Sequence, residues 1–203
     1  KKIGAVLIHY STDYVFDGKK KSPYIETDIT EPLSVYGKSK LEGELAVKDI
    51  RGTNIIFRTS WMYSFRGENF LTKVLSWANQ KETLQISVDQ IGSPTWSRMV
   101  AEITSLLIAK GLPNVNEYFS PLSDTYHLCG IGCVSRFEYA SAILKFYSKG
   151  VFKDKKILPA HTSDFLNLLA HRPLFSALDC SHFENTFRLN LPKWEDSLRL
   201  ALN

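Results

Sequence analysis

The sequence predicts an α/β fold with a mainly parallel sheet. Three observations carry this. The run AVLIHYST (5–12) stays apolar until it ends in two hydroxyls, as a parallel strand covered on both faces does. TNIIFRTSWMY (53–63) and TYHLCGIG (125–132) are rich in β-branched and aromatic residues, which favour strands. Segments of helical spacing, some with a capping Ser at the start, lie between these runs, and strands alternating with helices favour parallel crossovers.

The elements are expected in this order. Lys1 to Gly4 reads as a helix tail closed by Gly4, so the chain is expected to begin inside a longer protein. The strand 5–12 runs into a loop over 17–34, where Gly, Pro, Lys and Asp break any period. Ser34 caps a helix starting at Val35 and running to about residue 49. After the strand 53–63 comes a helix over 69–80, with Phe70, Val74 and Trp77 on one face. LQISVDQIGSPTW (84–96) reads as strand then turn. Residues 97–112 form an amphipathic helix with Ser97 as cap and Gly111 as stop. Residues 113–124 read as polar loop, followed by the strand 125–132 and a helix over 135–150 with a Ser135–Glu138 capping box. Residues 151–203 read as loop-rich, ending in a short helix with Pro192 near its start.

Composition excludes several classes. The 203 residues are 44% hydrophobic and 23% charged, enough for a core, and the net charge of +4 is spread along the chain. Lys19-Lys20-Lys21 reads as a solvated loop tip, so no nucleic-acid partner is expected. Cys129, Cys133 and Cys180 read as reduced thiols of a cytoplasmic protein, and the Cys129-x3-Cys133 spacing does not suit zinc. No apolar run reaches the ~18–20 residues of a membrane span, and no secretory leader is read at the start.

The chemistry centres on Tyr36 and Lys40. Four residues apart on a helix, they share one face. A cation beside a phenol favours the phenolate, and such a pair passes a proton to or from a carbonyl oxygen. Thr12 ends the preceding strand, and ligands bind at strand C-terminal ends in open α/β sheets. Its hydroxyl can bond the same carbonyl. GIGCVS (130–135) imitates the start of a dinucleotide fingerprint, but Ser135 replaces the third Gly and the expected acid is missing downstream, so it is not read as a phosphate loop.

A longer set of motifs follows in order: STDYVFDG (11–18), YIETD (24–28), PLSVYGKSKLEGE (32–44), RTSWMY (58–63), DQIGSPT (89–95), and Arg172-Pro173 before SALD (176–179). Together these resemble the dTDP-4-dehydrorhamnose reductase family, in the extended branch of the short-chain dehydrogenase/reductase superfamily. The resemblance covers nearly the whole chain. It implies the C-terminal half of a Rossmann-like NAD(P)-binding sheet (1–63) and a smaller, mainly substrate-binding α/β lobe (64–203), with 97–132 returning to the sheet. It implies reduction of the C4 ketone of dTDP-4-dehydro-L-rhamnose with NADPH or NADH, a step toward cell-surface polysaccharide. The Gly-rich phosphate turn and the strands before it are expected ahead of Lys1, so activity of these residues alone is doubtful.

The resemblance also implies roles. Tyr36 is the proton donor, and Lys40 holds the nicotinamide ribose. Thr12 orients the sugar carbonyl, with Asp13 beside it touching the sugar. Trp61 packs on the sugar ring, and Tyr10 lies where the strand passes the nicotinamide. Asn69 and Arg172 match positions that meet the nucleotide diphosphate, while Gln90 and Thr95 sit in a family motif without a clear role. Bland alternatives stand beside these: Trp61 as core, Asp13 as a turn cap, Arg172 as a tie for the C-terminal loop. Some members bind magnesium through a Glu near position 98; Arg98 stands here, so no metal is expected. The oligomer is left open, a homodimer being one option. Two other readings remain: another nucleotide-sugar epimerase or reductase, and a non-catalytic subunit like the regulatory subunit of methionine adenosyltransferase. Tyr14 after Asp13 argues against a dehydratase, which has a second acid there.

Overall fold

In the computed structural model, which describes residues 3–147, 151–152, 154–165 and 170–202, the first apolar run forms β1 (Leu7–Thr12). Burial on both faces is reached only at its end: Ser11 and Thr12 are buried, while Leu7 is 44% and Tyr10 39% exposed. The cause is position. Among the described residues β1 is an edge strand and pairs on one side alone.

Thr12 caps a 3-10 turn at Asp13–Val15, and the expected loop leads to α1 (Val35–Asp49). Ser34 caps α1 as read, accepting from the Gly37 N–H at 3.1 Å. β2 (Asn54–Thr59) is shorter than the strand expected to reach 63. Trp61, with φ of 40°, breaks the extended path, and β3 (Met62–Tyr63) leaves the sheet. α2 (Phe70–Gln80) follows, with Asn69 as its cap in a box with Thr72.

The segment read as one strand and a turn is three strands: β4 (Thr83–Ser87), β5 (Ile91–Gly92) and β6 (Thr95–Trp96). α3 (Ser97–Lys110) stops at Gly111 as expected, but Ser97 is not its cap. Trp96 holds that position and makes no side-chain cap bond. The expected polar loop 113–124 contains α4 (Val115–Phe119), capped by Asn114, and a 3-10 turn at Ser120–Leu122. Fully buried Phe119 holds α4 to the core.

β7 (Asp124–His127) is half the length read from sequence, and β8 (Val134–Ser135) leads into α5 (Arg136–Phe146) through the expected capping box. The predicted end of that helix at 148–150, like Lys1 and Lys2, lies outside the described residues. The C-terminal region is more ordered than expected. It holds β9 (Lys156–Ala160), a 3-10 turn at Thr162–Asp164, α6 (Ser181–Phe187) and α7 (Trp194–Leu202).

β1, β2 and β7 form a parallel sheet in the order β1-β2-β7. Thr12 pairs with Thr59 and Arg58 with His127, so the strand ends meet on one side. β3 pairs with β6 and β4 with β9 in parallel, and β5 with β8 antiparallel. Two apolar cores result. One, around Phe16, Phe57 and Phe183, packs under the sheet; the other, around Leu71, Tyr139 and Leu198, joins α2, α5 and α7. Cys129 and Cys180 are buried thiols and Cys133 is exposed. Among the described residues no helix is long and apolar enough to cross a membrane.

Candidate active site

The sheet's C-terminal edge places Thr12 beside the break in the chain at Trp61. Thr12, Asp13, Tyr14, Tyr36, Thr59, Trp61, Met62 and Arg136 line one cavity of about 230 Å³. Four residues singled out from sequence, Thr12, Asp13, Tyr36 and Trp61, therefore share one small space. The helix bearing Tyr36 comes this close because of Gly37. A Cβ there would lie 2.3 Å from the Tyr14 carbonyl oxygen, so only glycine lets α1 rest on the 3-10 turn after β1. Tyr36 is 55% exposed at the mouth, its ring edge-on to Tyr14 at 6.1 Å.

Lys40 lies one helical turn further on. Its Nζ donates to the Tyr10 carbonyl at 2.5 Å, which ties α1 to the end of β1. The Tyr10 side chain points elsewhere: its hydroxyl bonds Thr104 Oγ1 on α3 at 2.7 Å. What Tyr10 offers the Lys40 side is its carbonyl. An ammonium has three N–H groups, and the Tyr10 bond uses one. The donors of Tyr36 and Lys40 thus suit ribose hydroxyls, and the set fits the nicotinamide-ribose end of a dinucleotide.

Thr12 and Asp13 form a small internal network. Thr12 Oγ1 accepts from the Tyr14 N–H at 3.2 Å and donates to Asp13 Oδ1 at 3.1 Å. Ser60 Oγ donates to Asp13 Oδ2 at 2.9 Å. Asp13 is 3% exposed, and burial pushes its carboxyl up to about 6, against the pull of nearby hydroxyls and Arg136. The capping of the turn falls to Thr12, not to Asp13.

Trp61 is half-buried, and its positive φ is uncommon for a bulky residue, a conformation costing ~1–3 kcal/mol. Gly92 on β5 makes room for the indole: a Cβ there would fall 2.3 Å from it. The guanidinium of Arg136 stacks over the indole at 3.5 Å and over Phe70 at 4.5 Å. Sequence reading missed Arg136. Its one visible signal is a cation in the first turn of α5, directly after the Ser135 cap, where the helix dipole disfavours positive charge. Burial lowers its pKa to about 10, which leaves it charged at neutral pH.

A second cavity of about 440 Å³ continues from Arg136, lined also by Asn69, Phe70, Lys73, Trp77, Gln90 and Arg172. Asn69 and Arg172 meet here, in a cavity that Thr12 and Tyr36 do not line. The Asn69 side chain serves chiefly as a cap, accepting from the Thr72 N–H and donating to the Ser64 carbonyl at 2.7 Å. Arg172 also reaches a third hollow beside Tyr14 and Tyr36. Gln90 and Thr95 turn out to brace the fold: Gln90 bonds Thr162, and Thr95 joins Ser93 to the Gly130 N–H. That last bond and the close carbonyl of Pro94 fill the space at GIGC where a phosphate loop would be open. Arg98 pairs with Glu102 at 2.7 Å.

The sequence profile of the RmlD substrate binding domain matches residues 1–203. The chain belongs to the RmlD family. A dTDP-4-dehydrorhamnose reductase of Burkholderia thailandensis is 38% identical over 206 residues, spanning 100% of this chain and 68% of that protein. The crystal structure of a Clostridium acetobutylicum dTDP-4-dehydrorhamnose reductase superposes with a TM-score of 0.85 at 32% identity, over 99% of this chain and 66% of that one. A Bacillus anthracis dTDP-4-dehydrorhamnose reductase, solved in complex with NADP, gives 0.84 at 32% identity, over 98% and 66%. This RmlD chain thus spans about two thirds of the length of the relatives it matches.

Proposed function

We propose that these residues form the catalytic and substrate-binding side of a reductase that converts dTDP-4-dehydro-L-rhamnose to dTDP-L-rhamnose. The observation that carries this reading is the shared cavity, in which Thr12, Asp13, Tyr36 and Trp61 converge next to Lys40. Relatives named as dTDP-4-dehydrorhamnose reductases support it.

In this reading the sugar's C4 ketone enters between Thr12 and Tyr36. The Thr12 hydroxyl turns from Asp13 to the ketone oxygen, and Tyr36 gives that oxygen a proton. Lys40, anchored on the Tyr10 carbonyl, holds ribose hydroxyls with its remaining N–H groups. Trp61 offers an apolar face to the sugar ring, and Asp13 accepts from its hydroxyls. A bound nicotinamide dinucleotide, NADPH or NADH, supplies the hydride, and the NADP complex of the Bacillus anthracis relative supports that choice. We place residues 1–63 in the dinucleotide-binding domain and 64–203 mainly in a substrate lobe, with 97–132 returning to the sheet. The core under the sheet draws on 1–63 and 97–132, which supports that division, and 178–191 packs into the same core.

The test is NADPH oxidation with dTDP-4-dehydrorhamnose, using the full polypeptide that carries these residues. Tyr36→Phe is expected to abolish turnover with an unchanged circular dichroism spectrum; retained turnover sinks the mechanism. A folded parent protein without turnover would favour the non-catalytic nucleotide-binding subunit.

A further inference from the structure

We propose that Arg136 binds the diphosphate of the nucleotide-sugar, at the passage between the ketone cavity and the cavity for the nucleoside. The inference rests on the sugar-nucleotide reading above and adds a residue that reading does not contain. Arg136 lines both cavities. In a nucleotide-sugar the diphosphate joins sugar to nucleoside, so with the ketone at Tyr36 it must pass the residue common to both.

The side chain is built to hold an anion. It is 9% exposed, and its guanidinium lies between the Trp61 and Phe70 rings, which fix its plane. Its backbone is held too: the Arg136 N–H donates to the Gln90 carbonyl at 3.0 Å, and Ser135 and Glu138 lock the turn. Among the described residues no carboxylate lies within ion-pair distance of it. Asp13 attracts Arg136 without forming an ion-pair contact, its oxygens accepting from Thr12 and Ser60, and the Tyr14 hydroxyl is the other polar group that faces the guanidinium. A guanidinium has five N–H donors, more than Tyr14 can take up, and a planar fork matches two phosphate oxygens. Arg172 lines the same cavity from an exposed position.

The experiment is calorimetric titration of the full polypeptide with dTDP, thymidine and inorganic pyrophosphate. Arg136→Gln should weaken dTDP binding by about 30-fold, from the loss of charge-assisted hydrogen bonds. It should abolish pyrophosphate binding and leave thymidine unchanged, whereas a merely structural role would disturb all three alike. Arg136→Lys should recover part of the loss. Unchanged dTDP affinity in Arg136→Gln, or equal loss of thymidine, overturns the proposal. If the glutamine variant does not fold, the Arg136 Nε–H resonance of the unmutated protein decides: a shift on adding pyrophosphate supports the site, and no shift overturns it. A parent protein that binds pyrophosphate through Arg136 but neither binds nor reduces the dTDP-sugar sinks the reductase reading and leaves the phosphate site standing. One that turns over normally with a silent Arg136 does the reverse.

Discussion

Arg58 and Glu44 meet fork to fork, with Nη2 to Oε2 at 2.7 Å and Nε to Oε1 at 2.9 Å, and are 4% and 1% exposed. Glu44 is on α1, the helix of Tyr36 and Lys40; Arg58 is on β2, two residues before Ser60. The pair therefore fastens the proton-donor helix to the strand that leads to Trp61. Removing one partner strands a buried charge, so Glu44→Ala should cost about 3–5 kcal/mol in urea unfolding. Replacing both by apolar residues, Glu44→Leu with Arg58→Met, should recover most of that loss. A cost below about 1 kcal/mol for Glu44→Ala would mean the pair is not the fastening.

Gly37 permits a test of opposite signs. Helix propensity alone predicts that Gly37→Ala stabilises α1 by about 1 kcal/mol. The added Cβ would instead fall 2.3 Å from the Tyr14 carbonyl, which is backbone and cannot swing away. Net destabilisation is expected, with a lower kcat because Tyr36 is pushed off the turn after Thr12. A higher melting temperature with full turnover would show that α1 can shift without consequence.

The contrast between α1 and the Trp61 region shows which parts of the site were legible in sequence. The Tyr36/Lys40 face and the caps Ser34 and Ser135 depend on residues within four positions of each other, and local spacing reveals them. Trp61 and Arg136 depend on meetings between distant segments. The break after Thr59 exists because β3 pairs with β6, and the Arg136 guanidinium is placed by one ring from the link before β3 and one from α2. Neither relation leaves a periodic trace. β9 was hidden by Pro159, tolerated because its one partner among the described residues is β4. α4 and α6 did carry local signals, Asn114 three residues before Glu117 and Phe183 four before Phe187. Their shortness made them read as loop.

Gly92 bears on the sugar side of the site. Its missing side chain is filled by the Trp61 indole, whose own backbone is already held at positive φ. Gly92→Ala should displace the indole and with it the Arg136 stack. The fold should survive, because the indole can move toward the cavity. We expect KM for the dTDP-sugar to rise about tenfold or more, and tryptophan fluorescence to change. Unchanged fluorescence with unchanged KM would place Trp61 outside the substrate surface.

Asp13 links stability to pH. Its carboxyl stands at about 6 in the folded protein, against an ordinary value of 3.8, because burial disfavours the charge. The folded state holds a proton across that interval that the unfolded state has lost. The group's contribution is therefore most favourable below the ordinary value, and stability falls as pH rises through about 6. The cost at neutral pH is up to ~3 kcal/mol. Asp13→Asn keeps an acceptor for Ser60 and removes the charge. It should raise the urea midpoint at pH 7, and its curve should meet that of the parent below about pH 4. A less stable variant at pH 7 would show that the network around Thr12 and Ser60 repays the buried charge. Activity should move the other way, because a neutral amide accepts more weakly from sugar hydroxyls and no longer faces Arg136 as an anion. Greater stability with a slower enzyme is what a charge retained for substrate binding predicts.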